Sequence, residues 1–181
     1  KDSVLVEKML MNKQNFKSAK DVDGFVPQAS GLYCIRIKNV HLLPEPFGTI
    51  LLERGHDILY IGIASENLYN RFLNQELRAK GHGTFFRSMG AVLGYKPPKG
   101  SLTEKRNKKN YKFSKTDELK IIGWINENLM VNWVESAGDL DSLETSLIVK
   151  YLPLLNLSKN PAALQILSYL RKECVEIANR N

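Results

Sequence analysis

No apolar run in these 181 residues approaches the roughly 18–20 that a bilayer-spanning helix requires, which excludes a helical anchor within them. Cysteine is scarce. Cys34 and Cys174 are too few for a disulfide framework and too far apart for a metal knuckle, so two buried thiols in a reducing cytoplasm are expected. Glycine and proline are not in excess, at 12 and 7 residues, and no internal repeat is present, so neither a fibrous nor a low-complexity chain fits. One stretch has almost no negative charge. Between Lys96 and Lys115 the cations Lys96, Lys99, Lys105, Arg106, Lys108, Lys109, Lys112 and Lys115 face only Glu104, and this block carries the whole net charge of +7. With Pro97, Pro98 and Gly100 in the same stretch, it is expected to be a mobile, solvated loop at 96–115. Such a loop serves solubility or grips a polyanion, and the interleaved Tyr111 and Phe113 suit stacking on bases or anchoring of its exit. No amphipathic apolar face accompanies the charges, which argues against a membrane surface.

The remainder is ordinary for one globular domain, 43% hydrophobic and 25% charged. Val4, Leu5, Met9 and Leu10 predict a short helix over Ser3–Asn12, followed by a polar connector to Val26-Pro27. Leu32–Lys38 alternates, with Tyr33, Ile35 and Ile37 on one face of a strand. Pro44, Pro46, Gly48 and Gly55 predict a long loop with a short strand at Ile50–Leu52. Ile58–Ile63 is apolar on both faces and predicts the central strand. Leu68, Phe72, Leu73 and Leu77 are helical in spacing, and a second short helix spans Thr84–Leu93 before Gly94. Thr116 is suited to cap a helix with the stripe Leu119, Ile122, Ile125 and Leu129, and Met130–Val134 reads as a third strand. Asp141 opens a helix that Pro153 stops, and a terminal helix starts near Pro161. The expectation is an α+β domain with a small mixed sheet. Residues 1–27 form an N-terminal helix and connector, 28–160 the main domain, and 161–181 a helix packed on it.

Several polar residues sit where a simple core would not place them. Glu144 falls three residues before Leu147 and four before Ile148, along the apolar stripe of its own helix. A capping box explains it equally, since Asp141-x-x-Glu144 has that spacing. Asn156 follows an apolar Pro-Leu-Leu run, where an amide needs buried partners or a cavity, or simply makes a turn. Arg71, next to Phe72, fits a snorkelling side chain as well as a ligand. Tyr33 and Tyr60 lie in adjacent strand-like segments among apolar neighbours, as core tyrosines do. His82, between two glycines, reads as an exposed loop histidine.

Taken in order, these residues resemble the GIY-YIG nuclease superfamily, which includes homing endonucleases, the incision domain of the excision-repair nuclease and some restriction enzymes. The match comprises Gly31-Leu32-Tyr33, Tyr60-Ile61-Gly62, Arg71 nine residues after Gly62, Glu144 on a distal helix and Asn156 beyond it. Phe85-Phe86-Arg87-Ser88-Met89-Gly90 is similar to a stretch of small bacterial members. The first tripeptide has leucine in place of isoleucine, and Tyr33 and Tyr60 are 27 residues apart, which implies an insertion.

The resemblance implies a mainly antiparallel three-stranded sheet flanked by helices, and hydrolysis of DNA phosphodiester bonds in duplex or branched DNA. A degenerate site on a DNA- or RNA-binding module is the alternative. It also implies that Glu144 holds Mg²⁺, for which Mn²⁺ substitutes, with the ion keeping most of its waters. Arg71 would grip phosphate oxygens with its planar fork. Tyr33 would act as general base once cationic neighbours lower its phenol, or by relay to metal-bound hydroxide. Tyr60 would orient water or phosphate, Asn156 would fix the shape of the site, and His82 would assist proton transfer. Gly62 would let the nucleic-acid backbone approach. Lys96, Lys99, Lys105, Arg106, Lys108, Lys109, Lys112 and Arg87 would bind phosphates away from the chemistry.

Overall fold

The odd-numbered and even-numbered side chains of residues 32–37 serve two different cores, so one strand organises the molecule. In the computed structural model, which describes residues 3–181, strands β1 (Lys17–Ser18), β2 (Gly31–Ile37), β3 (Ile58–Ala64) and β4 (Leu129–Glu135) form an open antiparallel sheet in the order β1-β4-β2-β3. Among these residues the helices are α1 (Ser3–Met11), α2 (Phe47–Arg54), a π-helix (Tyr69–Leu77), α3 (Thr84–Val92), α4 (Lys115–Asn128), α5 (Leu140–Tyr151) and α6 (Gln165–Ala178), with short 3-10 turns between. The molecule is α+β, as expected.

Tyr33, Ile35 and Ile37 face a large core shared with Phe72, Phe85, Phe86, Ile121 and Ile125. Leu32 and Cys34 face a smaller one with Val6 and Leu10 of α1 and Leu147 and Ile148 of α5. Burial pushes the Cys34 thiol up to about 12, so it is an inert core group, and Cys174 is buried as well.

Several details differ from the sequence expectation. The sheet has a fourth strand and is antiparallel throughout; β1 is two residues long, too short to leave a periodic trace. The central strand is β2, and β3 lies at the edge. β3 is apolar on both faces because the chain after α5 closes its outer edge: Leu154 N–H donates to Ile58 O at 3.1 Å and Leu155 N–H to Leu59 O at 2.8 Å. Ile50–Leu52 belongs to α2, which buries Leu51 and ends at Gly55, whose φ of 76° suits the left-handed turn. Ser114 rather than Thr116 caps α4, its hydroxyl accepting from Asp117 N–H at 3.2 Å, and α6 begins at Gln165.

The basic segment is also unlike a free loop. Leu102, Tyr111 and Phe113 are buried, an effect worth roughly 1.5–3 kcal/mol per large apolar side chain. Its backbone bonds to the end of α6, Gly100 N–H to Ile177 O at 3.0 Å and Leu102 N–H to Ala178 O at 2.8 Å. Its aromatic residues hold it down while the charges face outward.

Candidate active site

Tyr33 on β2 pairs across the sheet with Gly62 on β3. A Cβ at Gly62 would lie 2.5 Å from Tyr33 Cζ and Oη. The glycine therefore makes room for the tyrosine ring rather than for an approaching nucleic-acid backbone. The ring stacks on Phe72 at 4.7 Å and lies 6.3 Å from that of Tyr60.

The π-helix supplies the next groups. Arg71 is exposed at its cleft side and reaches Gln75 Oε1 at a long 3.5 Å. Glu76, absent from the sequence assignment, is completely buried. Its Oε2 accepts the Tyr33 hydroxyl at 2.7 Å, while Oε1 accepts Phe85 N–H at 2.9 Å and Phe86 N–H at 3.4 Å. Glu76 thus caps α3, whose own N-cap residue, Gly83, has no side chain; a Cβ there would meet Glu76 Oε1 at 2.1 Å. In an α-helix Glu76 would point about 140° away from Arg71. The i→i+5 winding narrows that angle. A signal was present in the sequence: a carboxylate set among Phe72, Leu73 and Leu77 on the apolar stripe.

Burial raises the Glu76 carboxyl above its usual range, against the hydrogen bond from Tyr33 and the charge of Arg71. Burial, first, and then the charge of Glu76 and the neighbouring Tyr60, hold the Tyr33 phenol well above its ordinary value, with Arg71 opposing. Burial raises Tyr60 too. The lowered phenol that the resemblance required of Tyr33 is therefore not what this environment produces.

The opposite wall comes from α5. Its N-cap is Asp139, which accepts from Ser142 N–H at 3.2 Å, so Glu144 lies deeper in the helix and is not the reciprocal partner of a capping box at Asp141. The Glu144 side chain is 14% exposed, and its Oε1 stands 2.8 Å from Lys159 Nζ. The same ammonium lies 2.6 Å from Asp141 Oδ1, so two carboxylates converge on one cation. Asn156 grips the edge of β3: its Oδ1 accepts Ile61 N–H at 3.0 Å and its Nδ2 donates to Ile61 O at 2.9 Å. This buried amide is satisfied by backbone.

Tyr33, Tyr60, Gly62, Arg71, Glu144, Asn156 and Lys159 line one cleft of about 520 Å³, open at the β3 edge where the two helical layers meet. α6 adds Arg171, also missed from the sequence. Its Nη1 donates to Ser88 Oγ at 2.7 Å, and its Nε is buried without a partner. An arginine on the stripe of Leu167 and Cys174 was the available signal.

His82 and Arg87 do not join this cleft. His82 is 2% exposed, packed on Phe86 and Phe113 behind it. Phe113 N–H donates to its Nε2 at 3.3 Å, which assigns the proton to Nδ1 and leaves Nε2 unable to donate to Glu118 Oε2, also 3.3 Å away. Burial, then the charge of Arg87, push the imidazole down to about 4. Arg87 is 8% exposed; its Nε donates to Tyr111 O at 2.7 Å, which ties down the exit of the basic segment. Lys96 pairs with Glu173 at 2.9 Å, and Lys108 is spent on the carbonyls of Leu102 and Thr103. Lys99, Lys105, Arg106, Lys109 and Lys112 stand in solvent.

A small antiparallel-sheet domain whose tyrosines, arginine and helix glutamate share one cleft is the architecture of a phosphodiester-cleaving catalytic domain. The family model described as the GIY-YIG catalytic domain matches residues 31–173, and the chain belongs to that family, whose members are nucleases acting on nucleic acid and generally using a divalent metal. Comparison with curated proteins and with solved structures gave no match. Among the described residues no helix is long and apolar enough to cross a membrane, and no three His, Cys, Asp or Glu residues cluster as metal ligands.

Proposed function

We propose that this chain is a divalent-metal-dependent endonuclease that hydrolyses DNA phosphodiester bonds, in duplex or branched DNA, in a reducing cytoplasm. The observation that supports it most is convergence: Tyr33, Tyr60, Arg71, Glu144 and Asn156, from separate elements across the chain, line one cleft.

The residues fit a hard cation. Glu144 and Asp141 already direct oxygens at one positive centre, the Lys159 ammonium. With no third acid or histidine clustered there among the described residues, Glu144 would hold Mg²⁺ or Mn²⁺ with no more than Asp141 beside it, and the ion would keep most of its waters. When bound, such an ion supplies Lewis-acid polarisation of the phosphate and charge for the leaving oxygen.

Arg71 grips non-bridging phosphate oxygens from the π-helix wall, where it is exposed and held only by a long contact to Gln75 and by the neighbouring Tyr33. Tyr33 takes the proton of the attacking water, and Tyr60, beside it, orients that water. Asn156 acts indirectly, holding Ile61 and so the strand between Tyr60 and Gly62. His82 has no part in the proposal, since it is buried behind Phe86 and Phe113. The exposed cations at 99, 105, 106, 109 and 112 carry the phosphate contacts away from the chemistry.

Nicking of supercoiled plasmid with Mg²⁺ or Mn²⁺ tests the reading, with Glu144→Gln and Arg71→Ala losing cleavage while DNA binding persists. A second reading, a binding module without catalysis, is favoured by one observation: Lys159 already neutralises Glu144. Binding without cleavage under every divalent ion would establish it.

A further inference from the structure

A phenol held well above its ordinary pKa is a poor base at neutral pH, yet Tyr33 is the group placed to receive a proton. Its hydroxyl is aimed at Glu76 Oε2, 2.7 Å away. The other oxygen of that carboxylate accepts only backbone donors, Phe85 N–H and Phe86 N–H, so the acid is an acceptor on every side. The phenol proton is thus committed to Glu76, and the Tyr33 oxygen, with the Arg71 guanidinium as its other neighbour, presents its remaining lone pair to the cleft.

We propose that Glu76 is the proton acceptor behind Tyr33: as the attacking water gives a proton to Tyr33 Oη, the phenol's own proton passes to Glu76 Oε2. The inference rests on the nuclease reading above. Water oxygen bonds to phosphorus, the bond from phosphorus to the leaving oxygen breaks, and solvent protonates that oxygen. After release of product, Glu76 returns its proton to solvent through Tyr33. At no stage does Tyr33 carry a full negative charge.

Three observations carry this beyond a structural role. A cap for α3 would be made at far lower cost by a serine or aspartate at position 83; Gly83 instead leaves that space to a carboxylate brought from another helix. A fully buried carboxylate is costly to ionise, and burial has raised its proton affinity, while Arg71 opposes the rise. Finally, Glu76 and Arg71 interact electrostatically from one segment that winds as a π-helix, a rare form frequent at functional sites. Glu76 does not touch substrate; it is a positioning and proton-accepting residue acting through Tyr33.

The test compares wild type, Glu76→Gln and Tyr33→Phe for plasmid nicking with Mg²⁺ between about pH 5 and 9, alongside thermal melts. The wild-type rate is expected to rise with pH through the Glu76 titration and then level. Glu76→Gln, which can still cap α3 with its amide oxygen, is expected to fold, to lose roughly 10²–10⁴-fold in rate, and to lack that acid limb. A folded Glu76→Gln with the wild-type rate and profile overturns the relay and leaves the nuclease reading standing. A wild type that nicks with no divalent ion overturns both. Should Glu76→Gln not fold, a ¹³C carboxyl titration of the wild type decides: its Glu76 midpoint coincides with the acid limb of nicking, or the relay is wrong.

Discussion

Glu76 accepts three hydrogen bonds without any exposure to solvent, whereas Lys105, Arg106 and Lys109 stand in water with their charges facing outward. Both regions are polar, and both are held by aromatic residues, Phe72 beneath Tyr33 in one and Tyr111 and Phe113 in the other. The difference is in what the fold dictates. A buried polar group left without a partner costs about 1–3 kcal/mol, so each cleft residue is confined to one geometry by its neighbours. An exposed cation meets no such demand, and it acts through summed charge. Roles in the cleft should therefore fail on single, near-isosteric substitutions, and roles in the segment only on changes of total charge.

Glu144→Gln is the severest probe of that contrast. It keeps the shape and the helix but removes the anion, and plasmid nicking is expected to fall about a thousandfold with DNA affinity nearly unchanged. Arg71→Lys comes next: the charge survives while the planar fork is lost, and a fall of roughly a hundredfold in nicking rate is expected. A lysine variant with full activity would mean that charge alone suffices there, and the contrast would break.

His82 lies between the two regions, bonded to Phe113 at the segment's end, and it tests the packing rather than the chemistry. Its folded pKa of about 4 lies below the unfolded 6.5, so the unfolded chain takes up the proton first as pH falls. Its contribution to stability is complete above 6.5 and is lost as pH falls toward 4, up to about 3 kcal/mol. In urea melts at neutral and acidic pH, His82→Gln should lose less stability on acidification than wild type by up to that amount. Parallel curves would place the histidine in a solvated environment instead.

For the segment, neutralising Lys105, Arg106, Lys109 and Lys112 together should flatten the dependence of log affinity on log salt by roughly 3.6 while leaving the rate on saturating DNA unchanged. Any one of these alone should shift the slope by only about 0.9. An unchanged slope in the quadruple variant would make the segment a solubiliser. The smallest effect belongs to Asp139→Ala, which removes the cap of α5 and should lower stability by about 1 kcal/mol, read from urea melts.

The site was partly legible in the sequence. Tyr33, Tyr60, Arg71, Glu144 and Asn156 each had an ordinary structural explanation as a polar residue in an apolar pattern; their ordered resemblance to the GIY-YIG superfamily singled them out, and all five line the cleft. His82 and Arg87 could not be placed, since whether a residue in a glycine-flanked loop or an aromatic-rich helix faces water depends on what packs over it, here Phe113 and Tyr111. Glu76 and Arg171, not foreseen, lie on apolar stripes where a charge is normally read as tolerated rather than used.

Local pattern alone determined that the chain is α+β, that residues 58–63 are apolar on both faces, and where the positive charge collects, because periodicity and charge count are properties of neighbours in sequence. Which strand lies at the centre, that the Tyr69–Leu77 helix winds by five, that Lys159 comes to rest on Glu144, and that Glu76 meets Tyr33 were decided only by folding. Each of those depends on contacts between residues far apart in the chain. Their energies come from desolvation and geometry that do not exist until the two layers close on the sheet.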